Sequence, residues 1–289
     1  MNKIFLRLFI LLFILNFSNN LVANDPDLEW REGDYESMME FTEKVTLAVI
    51  YHEIGHLVVD EFNVPIFANE EDVADSFMSF MLIHVPEDYE DYKSYEYWSE
   101  APTKIIKGMF DYYFYKILLG IDTTSYYGVE SEYGDHSTDN KRLFNIACFM
   151  KGANPELFES FISKRNFDTI LEDKCNYNYW EMSDAWWELL GDKWEEDLDN
   201  YEQKIFLNFE DTNDEYILNF IDYSKKNIDD VLKNLQINLI ETYSMNFRYC
   251  DGDINAYYIS SRNEILVCYE LIDYFMGLKG EVMLLRNIL

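Results

Sequence analysis

His52-Glu53-Ile54-Gly55-His56, set inside the apolar run from Phe41 to Phe62, is the stretch on which the fold is read. The chain has only four histidines, and two of them stand here in an H-E-x-x-H string. Composition alone would place such a string in a chain this poor in histidine with a chance on the order of one per cent. Residues four apart on a helix lie one above the other, so His52 and His56 can aim two imidazoles at one metal ion. Glu53 sits beside that face, where a carboxylate reaches water at the ion. Phe41, Val45, Ala48, Ile50, Ile54, Leu57 and Val58 give the surrounding run helical periodicity, and nothing before Pro65 breaks it. Gly55 costs such a helix roughly 1 kcal/mol relative to alanine. A glycine there is explained if another backbone or a substrate passes close by. The plainer alternative is a core helix whose histidines make ordinary hydrogen bonds.

A catalytic zinc takes three protein ligands and keeps one position open. The nearest source of a third is Asn69-Glu70-Glu71-Asp72-Val73-Ala74-Asp75, which opens a second helix predicted over Glu70 to His84. The turn at Asn63-Val64-Pro65 folds this helix back across the first. Glu71 and Asp75 share a face four residues apart. Glu71 is the expected ligand, and Asp75 the expected acceptor that orients a ligand histidine. Glu70 and Asp72 are the alternative ligands. Acidic residues in a first turn also favour the helix dipole whatever else they do. His84, beside Pro86, reads as structural.

The pair H-E-x-G-H and E-x-x-A-D resembles the glutamate-ligand zinc peptidases, the gluzincins. Within them the chain looks closest to a bacterial metallopeptidase family catalogued as a domain of unknown function (4344). The resemblance continues through Tyr133 to Cys148, Cys175 with the aromatics after it, Trp186-Trp187, Cys250, Asn255-Ala256-Tyr257-Tyr258 and Cys268-Tyr269-Glu270-Leu271. It implies an α+β, predominantly helical zincin-like domain with a small antiparallel sheet. It also implies a zinc-dependent peptidase acting on peptide or protein substrates. In many zinc peptidases a strand with an Asn-Ala-aromatic start precedes the zinc helix. Here the comparable pair, Ile254 to Ser260 and Glu264 to Tyr269, comes last. Either it folds back on the helices as a permuted piece or it belongs to a separate lobe.

Other helices are predicted over Thr103 to Leu119, Lys141 to Met150, Pro155 to Ser163, Trp180 to Leu190 and Ile228 to Tyr243. A strand is predicted at Lys204 to Phe209, and the late pair forms a hairpin turning at Ser261-Arg262-Asn263. Asp122 to Asn140 reads as a long surface loop of the kind that often carries function. It holds His136, the expected oxyanion donor, with Tyr133 second.

Met1 to Ala23 has the charged start, apolar run and small-residue end of a secretory signal peptide, too short for a stable membrane span. Residues 24–195 are expected to form the helical metallopeptidase core, and 196–289 a C-terminal α/β region packed on it. Export to a secreted or periplasmic compartment suits disulfides for Cys148, Cys175, Cys250 and Cys268. Four cysteines allow three pairings; proximity in sequence favours Cys148–Cys175 and Cys250–Cys268. No C-x-x-C spacing suggests a cysteine metal site. Without the leader, 21 basic residues stand against 55 acidic ones, a surface that repels nucleic acid and anionic membranes.

The expected chemistry is hydrolysis in which His52, His56 and Glu71 hold zinc and Glu53 accepts the proton of the activated water. The alternative is a secreted zinc-binding protein without activity, serving as an interaction module.

Overall fold

The computed structural model describes residues 31–66, 69–83, 100–121, 137–164, 172–195 and 200–285. The leader, His84, Tyr133 and His136 lie outside the described residues. The order of elements is α1 (Asp34–Glu61), α2 (Glu70–Ile83), α3 (Glu100–Leu118), α4 (Asp139–Ala153), α5 (Pro155–Ser163), α6 (Glu172–Leu190), β1 (Ile205–Phe209), α7 (Glu215–Lys233), β2 (Tyr243–Arg248), β3 (Ala256–Ile259), β4 (Glu264–Cys268) and α8 (Tyr269–Leu285). The fold is α+β and mostly helical. Among the described residues no helix is long and apolar enough to cross a membrane.

α1 is the central element. Val45, Ala48, Ile50, Ile54, Leu57 and Val58 are fully buried, and burial extends almost all round the helix. It packs against α2, α3, α7, α8 and β3. Side chains from residues on both sides of position 195, among them Phe77, Phe110, Phe220 and Phe275, join one apolar core.

The sheet departs from expectation. Its order is β1-β2-β4-β3, with β1–β2 and β2–β4 parallel and only β3–β4 antiparallel. It is mixed rather than antiparallel because α7 carries the chain from β1 back to the same end of the sheet before β2 begins, as a parallel crossover requires. The β3–β4 hairpin forms where predicted, turning through Ser260–Arg262 and Asn263, whose φ is 50°.

A helix over Ile228 to Tyr243 does not form. α7 starts earlier, where Asp214 accepts the backbone N–H groups of Tyr216 and Ile217, and ends at Lys233. Gln236 takes a φ of 58°, and Tyr243 begins β2. α6 begins at Glu172, earlier than its apolar spacing suggested.

The cysteine sulfurs meet in two pairs, Cys148–Cys175 and Cys250–Cys268. The first ties α4 to α6. The second joins the loop after β2 to the end of β4, where Glu270 accepts the N–H groups of Cys250 and Gly252.

Candidate metal centre

α1 and α2 cross at Gly55. A Cβ added there would lie 2.9 Å from Ala74 Cα and 3.1 Å from Ala74 O, so the α2 backbone fills the space of the missing side chain. The close approach sets Glu71 and Asp75 over the His52–His56 face.

Three ligand atoms then converge. Glu71 Oε2 is 3.1 Å from His52 Nε2 and 3.4 Å from His56 Nε2, and the two Nε2 atoms are 3.2 Å apart. The outer nitrogens are held by carboxylates. His52 Nδ1 lies 2.8 Å from Asp75 Oδ1, and His56 Nδ1 lies 2.9 Å from Glu70 Oε1. An ionised carboxylate only accepts, so each Nδ1 carries a proton, and with an ion bound each Nε2 would turn its lone pair inward. Two imidazole lone pairs and a carboxylate oxygen at this spacing repel one another unless positive charge sits among them. Tetrahedral bonds of about 2.0–2.1 Å require ligand atoms about 3.3 Å apart, close to the three separations found. The donor set fits a metal ion.

Without an ion the surrounding carboxylates favour a proton in its place, which metal binding would displace from Nε2. Burial alone would depress His52, but its hydrogen bonds with Asp75 and Glu71 outweigh that and lift its pKa to about 9. Burial likewise opposes the shift of His56, which Glu71 carries upward. Burial would raise Asp75, yet Arg142 and His52 hold it well below the usual carboxylate range. The Arg142 guanidinium reaches Asp75 with Nε at 2.7 Å and Nη2 at 2.5 Å, and lies over the Tyr113 ring. Arg142, Asp75 and His52 thus form a buried chain that orients one imidazole. Asp72 accepts from Ser137 and Lys141 at the start of α4 and faces away from the histidines.

Glu53 is 6% exposed. Burial pushes its carboxyl up, and the histidines partly offset this. β3 folds back against α1. Tyr258 donates from its hydroxyl to Asp60 at 2.9 Å. The three ligand atoms and Glu53 open into a cleft of about 1080 Å³. One rim is Asn255 to Tyr258; the other is formed by α3 and the start of α4.

The sequence profile of a family described as "Putative metallopeptidase" (DUF4344) matches residues 16–190, more than half of the chain. The chain belongs to this family. Membership implies a metal ion and a protein or peptide substrate, which the convergence of His52, His56 and Glu71 suits. The Asn255 to Tyr258 and Cys268 to Leu271 blocks lie beyond the matched residues. No curated protein and no solved structure matches the chain.

Sequence reasoning missed Glu70 as the partner of His56, and Arg142 as the partner of Asp75. Arg142 stands in the quoted Tyr133 to Cys148 block, but a basic residue 67 positions from its carboxylate gives no local signal.

Proposed function

We propose that this protein is an exported zinc-dependent peptidase in which His52, His56 and Glu71 hold the metal and Glu53 is the general base. The observation that carries the reading is the spacing of 3.1, 3.2 and 3.4 Å among the three ligand atoms, with both Nδ1 atoms occupied by carboxylates. Two nitrogens and one oxygen suit zinc, which when bound supplies a Lewis acid for a peptide carbonyl and lowers the pKa of water to about 7. Asp75 and Glu70 fix the ring orientations, and Arg142 keeps Asp75 ionised. Glu53 takes the proton of the attacking water and returns it to the leaving amine. Its burial favours the protonated carboxyl and so equips it for the second transfer. The oxyanion donor is assigned to His136. Disulfides at both cysteine pairs accord with a secreted or periplasmic location.

The test is metal content together with peptide hydrolysis. Wild type should carry about one zinc per chain and cleave a mixed peptide library. Glu53→Gln should keep the zinc and lose hydrolysis by about 100-fold or more. Loss of zinc in Glu53→Gln, or undiminished turnover, overturns the assignment.

A further inference from the structure

The mouth of the cleft on the β3 side carries groups that the proposed chemistry does not use. Ile254 lines the cleft yet is 52% exposed, in the link that leads from β2 into β3. An aliphatic side chain left open there offers contact area to whatever the cleft admits. Tyr257, the second residue of β3, also lines the cleft and is partly exposed. Its hydroxyl donates to the carboxylate of Asp253, which ties the ring to the residue before Ile254. Asp253 is itself exposed, and among the described residues no basic side chain pairs with it. Nor does the Tyr257 ring meet another aromatic ring or a cation among them.

An aliphatic surface, a tyrosine ring and an unneutralised carboxylate within Asp253 to Tyr257 suit one kind of side chain. It has an apolar stem to lie on Ile254 and a cationic head to meet Asp253 and the face of Tyr257. Lysine and arginine have both parts. Leucine supplies only the apolar part, and glutamate is repelled by Asp253. The cations that line the same cleft do not oppose a basic side chain, because each is neutralised by a buried carboxylate. Lys116 Nζ is 2.8 Å from Asp139, and Arg142 is paired with Asp75.

We infer that Asp253, Ile254 and Tyr257 bind a lysine or arginine side chain of the substrate, at one position near the scissile bond. The inference rests on the peptidase reading, and its test has an arm that needs no turnover. Wild type is assayed for cleavage of capped peptides that differ only in carrying Arg, Lys, citrulline, Leu or Glu at one position, scanned along the peptide. The same peptides are titrated calorimetrically into Glu53→Gln protein. At one position arginine should exceed its neutral isostere citrulline by about fivefold in both arms, as for an exposed ion pair with a cation–π contact. Glutamate should be the poorest, and the margin should shrink as salt is raised. Asp253→Asn should bring arginine down to citrulline, and Asp253→Lys should place glutamate above arginine. Ile254→Ser, also at an exposed position, should weaken arginine, lysine and citrulline alike. Equal response to arginine and citrulline overturns the inference. So does a basic preference of the same size at every scanned position, which the formal charge of −32 on the whole chain would produce without any site. Either result alongside cleavage leaves the peptidase reading standing. Arginine-selective binding at one position without cleavage by wild type keeps the site and removes the peptidase reading instead, and no binding or cleavage in either arm overturns both.

Discussion

Gly55 and Ala74 put two helices in backbone contact, with only 2.9 Å between the position of an absent Cβ and the Ala74 Cα. Everything at the metal centre depends on that approach, because His52 and His56 flank Gly55 while Glu71 and Asp75 flank Ala74. Gly55→Ala should therefore destabilise the protein by about 1–2 kcal/mol despite the better helix propensity of alanine. It should also lower metal occupancy by spreading α1 from α2. Urea unfolding and elemental analysis check the two effects, and a stabilised, fully loaded variant would contradict the account.

Glu71 and Glu70 have different places, so their replacement should have different consequences. Glu71→Ala removes a ligand atom and is expected to abolish stoichiometric zinc. Glu70→Ala removes only the acceptor at His56 Nδ1 and should cost about 10- to 100-fold in affinity. Competition with a chelating dye measures both. The reverse ranking would place the wrong carboxylate in the ligand set.

Asp75 and Arg142 should behave as a coupled pair. Arg142→Gln strands a buried carboxylate, at a cost of about 3–5 kcal/mol in stability. Asp75→Asn should weaken metal binding by about 10- to 100-fold. In the double variant the losses should be less than additive, because each single change already breaks the same contact. Additive losses would mean that Arg142 acts elsewhere.

Cys250–Cys268 closes a span of 18 residues and Cys148–Cys175 one of 27, each worth about 3–4 kcal/mol in the chain-entropy model. Replacing Cys250 and Cys268 by alanine is expected to lower stability and peptidase activity together. The reason is that β4 pairs with β3, and β3 lines the cleft that holds Glu53. Thermal unfolding and turnover measured on the same preparation test the link. Full activity in a destabilised protein would separate the hairpin from the chemistry.

Asp273 on α8 gives a pH dependence remote from the metal centre. Partial burial, with Asp214 and Glu270 nearby, pushes its carboxyl up to about 6. The folded chain thus holds this proton more tightly than the unfolded one, where the value is about 3.9. Its contribution is most favourable below about pH 4 and is lost as pH rises through 6. Asp273→Asn should leave stability at pH 4 nearly unchanged. At pH 7 it should raise stability, by about 1 kcal/mol or less since the side chain is only partly buried and solvent screens it. Urea unfolding at the two pH values reads the difference.

The sequence by itself determined the local parts. Helical spacing in Phe41 to Phe62 and Glu70 to His84 located the two helices of the centre, because a 3.6-residue period is set by nearby side chains. The same period put His52 over His56 and Glu71 over Asp75. It failed between Ile228 and Tyr243, where apolar residues of a helix end, an irregular link and a strand start mimic one continuous face. Tertiary structure alone decided what stands far apart in sequence. It directed α7 back along the sheet, so that β1 and β2 run parallel. It brought Tyr258 and Glu53, 205 positions apart in the chain, into one cleft by packing β3 on α1. It also set Arg142 on Asp75 and Lys116 against Asp139. Such pairings arise from the packing of whole elements around one core, and a pattern confined to a few turns of helix carries no record of them.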